Sequence, residues 1–222
     1  MTLTSVDGIV DELGVAAPAL FAPRYNIAPS QPLLVVANRA ERVLEEMRWG
    51  LVPSWADDPA IGNRMINARR ESLADKPAFR DAFTRRRCLV LADGFYEWKR
   101  DGKRSLPYYY HRRDRRPFAF AGLWERWKQP DGAWLLSCAV ITGEPNPLVA
   151  PIHDRMPVII EPSDYARWLA PGAVAPEVLD ELLHPAPPEP YELYPVSPLV
   201  NSPENDSPQC VVQAEPLQRS LF

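Results

Sequence analysis

Four short stretches set a single reactive polar side chain among apolar or proline-rich neighbours. They are Arg24-Tyr25-Asn26-Ile27-Ala28-Pro29, Trp49-Gly50-Leu51-Val52-Pro53-Ser54-Trp55 with Ile66-Asn67-Ala68-Arg69, Asp93-Gly94-Phe95-Tyr96-Glu97-Trp98, and Pro151-Ile152-His153-Asp154-Arg155-Met156-Pro157. Glu97 stands between two aromatic residues, where desolvation would raise a carboxyl pKa toward the range useful for proton transfer. The competing reading is that strand alternation turns Glu97 to solvent while Tyr96 and Trp98 pack inward. His153, one of three histidines, sits in a proline-bounded loop ahead of a strand, where functional side chains are often mounted. Otherwise it caps a loop carbonyl. Asn67 offers a donor and an acceptor to a small polar ligand, and Arg69 shares its face if the segment is extended. A carbohydrate-like group beside a phosphate suits that pair.

Trp49 reads as a core residue and Trp55 as a groove residue able to stack on bases. The His153-Asp154 pair is similar to part of a metal phosphohydrolase site, but no second His/Asp cluster accompanies it, so no metal and no other cofactor is expected. Cys88, Cys138 and Cys210 match neither a disulfide framework nor a metal spacing. The first two lie inside apolar runs, where a thiol is inert, and Cys210 has no histidine neighbour. None of the three reads as a nucleophile.

These side chains need a scaffold, and the hydrophobic pattern supplies one. Strand-like runs recur at 33–37, 43–49, 88–92, 95–99, 107–111, 118–124, 134–141 and 156–160. Asp101-Gly102 and Pro130-Asp131-Gly132 fall where hairpin turns belong, and 113–117 is a polar link of the same kind. Antiparallel pairing is favoured over βαβ units. Helical patterns are short, at 5–13, 76–83, 164–169 and 177–183, with Ser163 placed to cap the third. The class is therefore α+β, a curved, barrel-like, mainly antiparallel sheet with a few short helices. One domain is expected over 1–212, with a proline-dense connector at 185–190 and a short, disordered tail at 213–222.

The net charge of −4 would argue against a polyanion partner if it were evenly spread. It is not. Residues 64–128 carry 18 Lys+Arg against 8 Asp+Glu, leaving 7 against 21 elsewhere. A basic middle between acidic ends permits nucleic-acid binding, although a solvated surface gives the same statistics. Asp7, Asp11 and Glu12 near the start are unlike a signal or transit peptide, and no run reaches membrane-span length. A reducing cytoplasm and no membrane contact are expected.

Taken in order and spacing, the four stretches resemble the SOS response-associated peptidase (SRAP) family of abasic-site processing proteins, and Pro195-Val196-Ser197 with Val200-Asn201 resembles that family's closing motif. The resemblance covers about 1–212. It implies a monomer that binds single-stranded DNA and traps abasic sites covalently, as a thiazolidine made by the α-amine and thiol of an N-terminal cysteine. An α-amine has a pKa of about 7.7 to 8.0, so part of it is free to attack at neutral pH. By motif, Asn67 would orient the sugar, Glu97 would shuttle protons and His153 would open the deoxyribose. Arg69 and Arg155 would hold phosphates, with Asn26, Trp55 and Thr142 along the DNA path. The peptidase of the family name is removal of the residues ahead of the cysteine.

The first residue departs from the pattern. Family members begin Met-Cys-Gly-Arg, then an apolar residue, then a stretch like Thr2-Leu3-Thr4, so Met1 aligns with the apolar fifth position. Either translation is assigned to an internal methionine codon, which the presence of every other matched residue favours, or the chain is a member without its nucleophile. At about 3.3 to 3.6 Å per residue, three missing residues would leave the terminus on the order of 10 Å short of the pocket. A noncatalytic single-strand binding module and a conventional protease are the alternative classes, though no nucleophile stands beside a positioned base.

Overall fold

Short apolar runs joined by tight turns can pair only locally, and a sheet of such strands is rid of exposed edges by curling until its ends meet. The computed structural model describes residues 1–102 and 104–214. Among these, β1 (Pro32–Ala37), β2 (Leu44–Trp49), β3 (Asn67–Arg69), β4 (Arg87–Ala92), β7 (Phe118–Lys128), β8 (Trp134–Gly143), β9 (Met156–Pro157) and β10 (Ile159–Ile160) form one sheet. Its order is β10-β7-β4-β1-β2-β8-β3, and an added β7–β8 ladder closes the five strands β7, β4, β1, β2 and β8 into a barrel. The closure is mixed, because β2 and β3 both run parallel to β8. The sheet is mainly antiparallel, as expected, and the two parallel pairings are ones that periodicity does not reach, since it shows which residues alternate and not which strand comes alongside.

The other strands, β5 (Gly94–Asp101), β6 (Arg104–Arg112) and β11 (Tyr191–Pro195), form a separate antiparallel sheet in the order β11-β6-β5. The turns at Asp101-Gly102 and Pro130-Asp131-Gly132 join β5 to β6 and β7 to β8, as hairpins. Residues 113–117 do not make a hairpin, because β6 and β7 belong to different sheets. They are a crossover. Residues 185–190 run irregularly to β11, with Ala186 alone buried among them. Gln213 bridges to Val196 and the Ala214 N–H donates to the Pro195 carbonyl, so the start of the expected tail is tied down. Residues 215–222 lie outside the described ones.

Small residues make room for the barrel interior. A Cβ on Gly122 would lie 2.8 Å from both Cys88 Sγ and Val90 Cγ2, so β7 can cross β4 here only without a side chain. The helices α1 (Ile9–Leu13), α2 (Arg80–Arg85), α3 (Tyr165–Trp168) and α4 (Pro176–Asp180) are brief. Ser163 does not cap α3; it lies in a 3-10 turn at Pro162–Asp164, and no side chain caps that helix. The helices depend on burial and on Arg87, which is wholly enclosed. Its guanidinium donates to the carbonyls of Phe83, Thr84, Trp168 and Ala170, satisfying oxygens left open where α2 and α3 end. Burial without a carboxylate partner lowers its pKa to about 10.

Asn146 does the same for the loop that carries His153. Its side-chain oxygen accepts from the Leu148 and Val149 N–H groups, and its Nδ2 donates to Tyr110 Oη at 3.0 Å and the Ala186 carbonyl at 3.1 Å. Replacing Asn146 by Ala strands buried partners on both sides, so unfolding stability should fall by about 2 kcal/mol. Denaturant titration checks this; an unchanged midpoint would remove Asn146 as the anchor of the loop.

Candidate functional site

A cleft of about 390 Å³ opens where the barrel meets the three-stranded sheet. Its walls come from β2, β3 and β8 of the barrel, from β5 of the smaller sheet, and from the loops at Asn26–Pro29, His153 and Val200–Pro203. Asn67, Glu97 and His153 all line it, although 30 and 56 residues separate them in sequence. A larger, more open hollow of about 530 Å³ beside Arg70, Glu71 and Asp180 holds paired charges instead of convergent reactive groups.

β3 alternates outward Asn67, buried Ala68, outward Arg69, so Asn67 and Arg69 share a face. Their partners across the ladder are Val140 and Thr142 of β8. Among the described residues Arg69 has no ion pair. Arg155 differs. Its Nη2 lies 2.9 Å from Glu71 Oε2 and donates to the Thr142 carbonyl at 2.6 Å, while Nε reaches Thr142 Oγ1 at 3.3 Å. Only Nη1 is left without a protein partner among the described residues.

Both readings of Glu97 are partly met. Tyr96 does join a small apolar cluster with Tyr109, Val196, Val200 and Cys210, and Trp98 packs against it, although both also border the cleft. Glu97, however, turns into the half-buried cleft and not into open water. Desolvation lifts its carboxyl pKa to about 7, against the attraction of His153 and a hydrogen bond from the Trp98 backbone. A carboxyl poised there can give or take a proton at neutral pH. Trp98 Nε1 donates to Asn201 Oδ1 at 2.8 Å, which fastens one rim to the other.

The structure spreads the remaining residues more widely. Asn26 lines the cleft, yet its Nδ2 donates to the carbonyls of Val200, Ser202 and Asn205 and so ties down the far wall. Thr142 lines the cleft. Trp49 packs on the core and donates from Nε1 to the Ile66 carbonyl. Trp55 is 59% exposed and borders a different, shallower hollow with Asn63 and Arg64. Cys88, Cys138 and Cys210 are all free and buried. Burial pushes the Cys138 thiol up to about 12 and the Cys88 thiol well above its ordinary value.

Met1 stands in the cleft wall, which overturns the expected shortfall of reach. The first residues do not run straight away from the cleft but are pinned by isolated bridges, Thr2 to Gly94 of β5 and Leu3 to Arg24. Thr2 N–H donates to the Gly94 carbonyl, Thr2 Oγ1 and both donors of Thr4 reach the Asp93 carboxylate, and Met1 N donates to the Ile27 carbonyl at 2.9 Å. Burial lowers the Met1 amine pKa to about 5, leaving it uncharged at neutral pH. Met1, Trp98 and Asn201 are cleft residues to which sequence reading gives no role in the site. Trp98 and Asn201 both fall in noted motifs, but their contact spans 103 positions and no local pattern joins them.

Because the folded protein binds the Glu97 proton more tightly than the unfolded chain does, stability falls as pH rises from about 4.5 through 7 and stays lower above that. Glu97→Gln should therefore melt a few degrees higher than the parent at pH 8, with the gap closing toward pH 5. Thermal melts across that range decide it. A gap independent of pH would mean that the carboxyl is not desolvated.

Among the described residues no three His, Cys, Asp or Glu side chains gather as a metal site, and no helix is long and apolar enough to cross a membrane. The chain is 46% identical over 193 residues to the abasic site processing protein YoqW of Bacillus subtilis, covering 86% of each. It is 34% identical to the abasic site processing protein HMCES of Xenopus tropicalis, covering 86% of this chain and 66% of that one. In structure it is similar to a protein of Bacteroides thetaiotaomicron, with a TM-score of 0.76 at 26% identity over 84% of this chain and 82% of the other. The family model of the SOS response associated peptidase (SRAP) matches residues 3–203, and on these findings the chain belongs to that family.

Proposed function

We propose that the chain captures abasic sites in single-stranded DNA covalently beside its N-terminal residues, with Asn67, Glu97 and His153 as the working groups. The convergence of these three side chains and Met1 on one cleft carries the reading. The relatives named as abasic site processing proteins supply the substrate class.

An abasic sugar reacts as its aldehyde. His153 as the imidazolium gives its Nε2 proton to the ring oxygen as the C1′–O4′ bond breaks and is left as neutral imidazole, and the C1′ hydroxyl loses its proton to the Glu97 carboxylate. An amine lone pair then attacks C1′. One amine proton passes to the resulting alkoxide, protonated Glu97 gives its own to that hydroxyl, which leaves as water, and the nitrogen returns its remaining proton to the Glu97 carboxylate, so that an imine remains. A thiolate adds to the imine carbon while the nitrogen takes up a proton, closing a thiazolidine. With every cysteine of the chain buried, that thiol is assigned to the cysteine that precedes the Met1 position in the family pattern. Asn67 holds sugar oxygens, and Arg69 with Nη1 of Arg155 takes phosphates. Asn26, Thr142 and Trp55 flank the strand's path, Trp55 as a stacking surface outside the cleft.

Covalent capture is tested by mixing labelled abasic single-stranded oligonucleotide with the chain from Met1, and with the same chain prefixed by Met-Cys-Gly-Arg, followed by heating in detergent. Label should stay with the prefixed chain alone. Label retained by the chain from Met1 would place the nucleophile elsewhere. Binding without label in either form would indicate a noncatalytic module, and peptide hydrolysis without label a conventional protease.

The phosphate assignment has its own measurement. Affinity for single-stranded DNA should fall steeply with salt, and Arg69→Ala should weaken every sequence alike while reducing the logarithmic salt slope by roughly 0.7. An unchanged slope would take Arg69 out of the DNA path.

A further inference from the structure

The Glu71–Arg155 pair joins two segments that the cleft needs in register. Glu71 lies in the 3-10 turn Arg70–Ser72, directly after the strand that carries Asn67. Arg155 lies two residues after His153. The carboxylate holds Arg155 Nη2 with both oxygens, at 2.9 and 3.3 Å, and Thr142 on β8 holds Nε and Nη2 from the other side. Burial pushes the Glu71 carboxyl pKa up, but the Arg155 hydrogen bond and charge, together with a backbone hydrogen bond and Arg70, bring it below its ordinary value.

The pair holds the Arg155 side chain, and the main chain of the same residue stands against the His153 ring. The Arg155 main-chain N–H lies 3.1 Å from His153 Nδ1. The Arg155 carbonyl is also 3.1 Å from Nδ1, and the Asp154 carboxylate is 3.3 Å from it. A backbone N–H can only donate, so against it Nδ1 of a neutral imidazole must accept, and the ring proton belongs on Nε2. The carbonyl and the Asp154 carboxylate pull the other way, toward a proton on Nδ1. The balance between the two tautomers thus depends on how firmly the Arg155 N–H is aimed.

We propose that Glu71 is a positioning residue: by clamping the Arg155 guanidinium it aims the Arg155 N–H at His153 Nδ1, so that His153 meets the ligand as the Nε2–H tautomer. That tautomer presents an N–H to the sugar ring oxygen, and the species that gives the proton away is the imidazolium, in which Nδ1 is protonated as well and faces the Arg155 carbonyl and Asp154; the functional consequence thus rests on the role given to His153 above. The tautomer does not rest on it.

The two are tested separately. Histidine 15N shifts of the free protein report the His153 tautomer without DNA. The parent and Glu71→Gln, whose amide oxygen still accepts from Nη2, should both show a protonated Nε2 and an acceptor Nδ1. Glu71→Ala should show averaged shifts with a melting temperature close to that of Glu71→Gln. Parent-like shifts in Glu71→Ala would overturn the proposal, and so would averaged shifts in Glu71→Gln. Adduct formation by the cysteine-prefixed chain should then be several-fold slower in Glu71→Ala than in Glu71→Gln, with single-strand affinity no weaker. If His153→Ala in the prefixed chain captures abasic DNA at the parent rate, the role of His153 fails, and the shifts still decide the role of Glu71.

Discussion

Closure of the barrel along the β7–β8 ladder is the constraint from which the cleft follows. Once β8 is held by β7 on one side, its other edge can take β2 and β3 in parallel. That edge brings Asn67 beside Val140 and Arg69 beside Thr142, while on the opposite edge, beyond the β7 ladder, Gly143 pairs with Met156, just past the His153 loop. Two catalytic candidates from distant parts of the chain are thereby registered on one strand. Loss of the ladder would free both, since β3 has only three residues and no other strand partner.

The third candidate comes from the smaller sheet, and buried polar groups hold the two bodies together. Asp93 is 6% exposed and faces no cation at hydrogen-bond distance; its carboxylate is satisfied by Thr2 and Thr4 of the N-terminal residues. A desolvated carboxylate tolerates burial only while such donors are in place. The N-terminal residues, β5 and the cleft wall are accordingly one cooperative unit. Asn26 and Asp206 do equivalent work on the opposite wall, through carbonyls of 200–205 and the N–H groups of Tyr25 and Asn26. Hydrogen bonds thus tie down both walls of the cleft, around a carboxyl whose pKa desolvation has raised to about 7.

Charge is distributed by the same logic. Several arginines of the basic middle are engaged: Arg70 with Asp180, Arg86 with Asp81 and Glu125, and Arg112 with Asp114. Arg87 is wholly internal. The surplus of 10 positive charges between 64 and 128 therefore overstates what an incoming polyanion would meet. Arg69 matters more than the sum because it stands beside the cleft without a carboxylate.

Local pattern was enough to place most strands, the two hairpins, the inert cysteines and the α+β class, because alternation, turn chemistry and apolar runs act over a few residues. The residues that line the cleft were legible as motifs too: Asn67, Glu97 and His153 each combine one polar group with an apolar frame. Partner choice was not legible. That 113–117 crosses between sheets, that β2 and β3 run parallel to β8, and that Trp55 stands outside the cleft all follow from how distant strands settle together. The direction of Glu97 is the sharpest case. Alternation put it opposite Tyr96 and Trp98 and could say no more; whether that side is water or a cleft is decided by which body packs against β5. The same packing pins Met1 in the wall that extended-chain length had put out of reach. Sequence determined which side chains could do the chemistry, since side-chain identity and local periodicity are intrinsic to the chain. Tertiary structure alone decided their surroundings, because desolvation and proximity are properties of neighbours that the chain brings together only by folding.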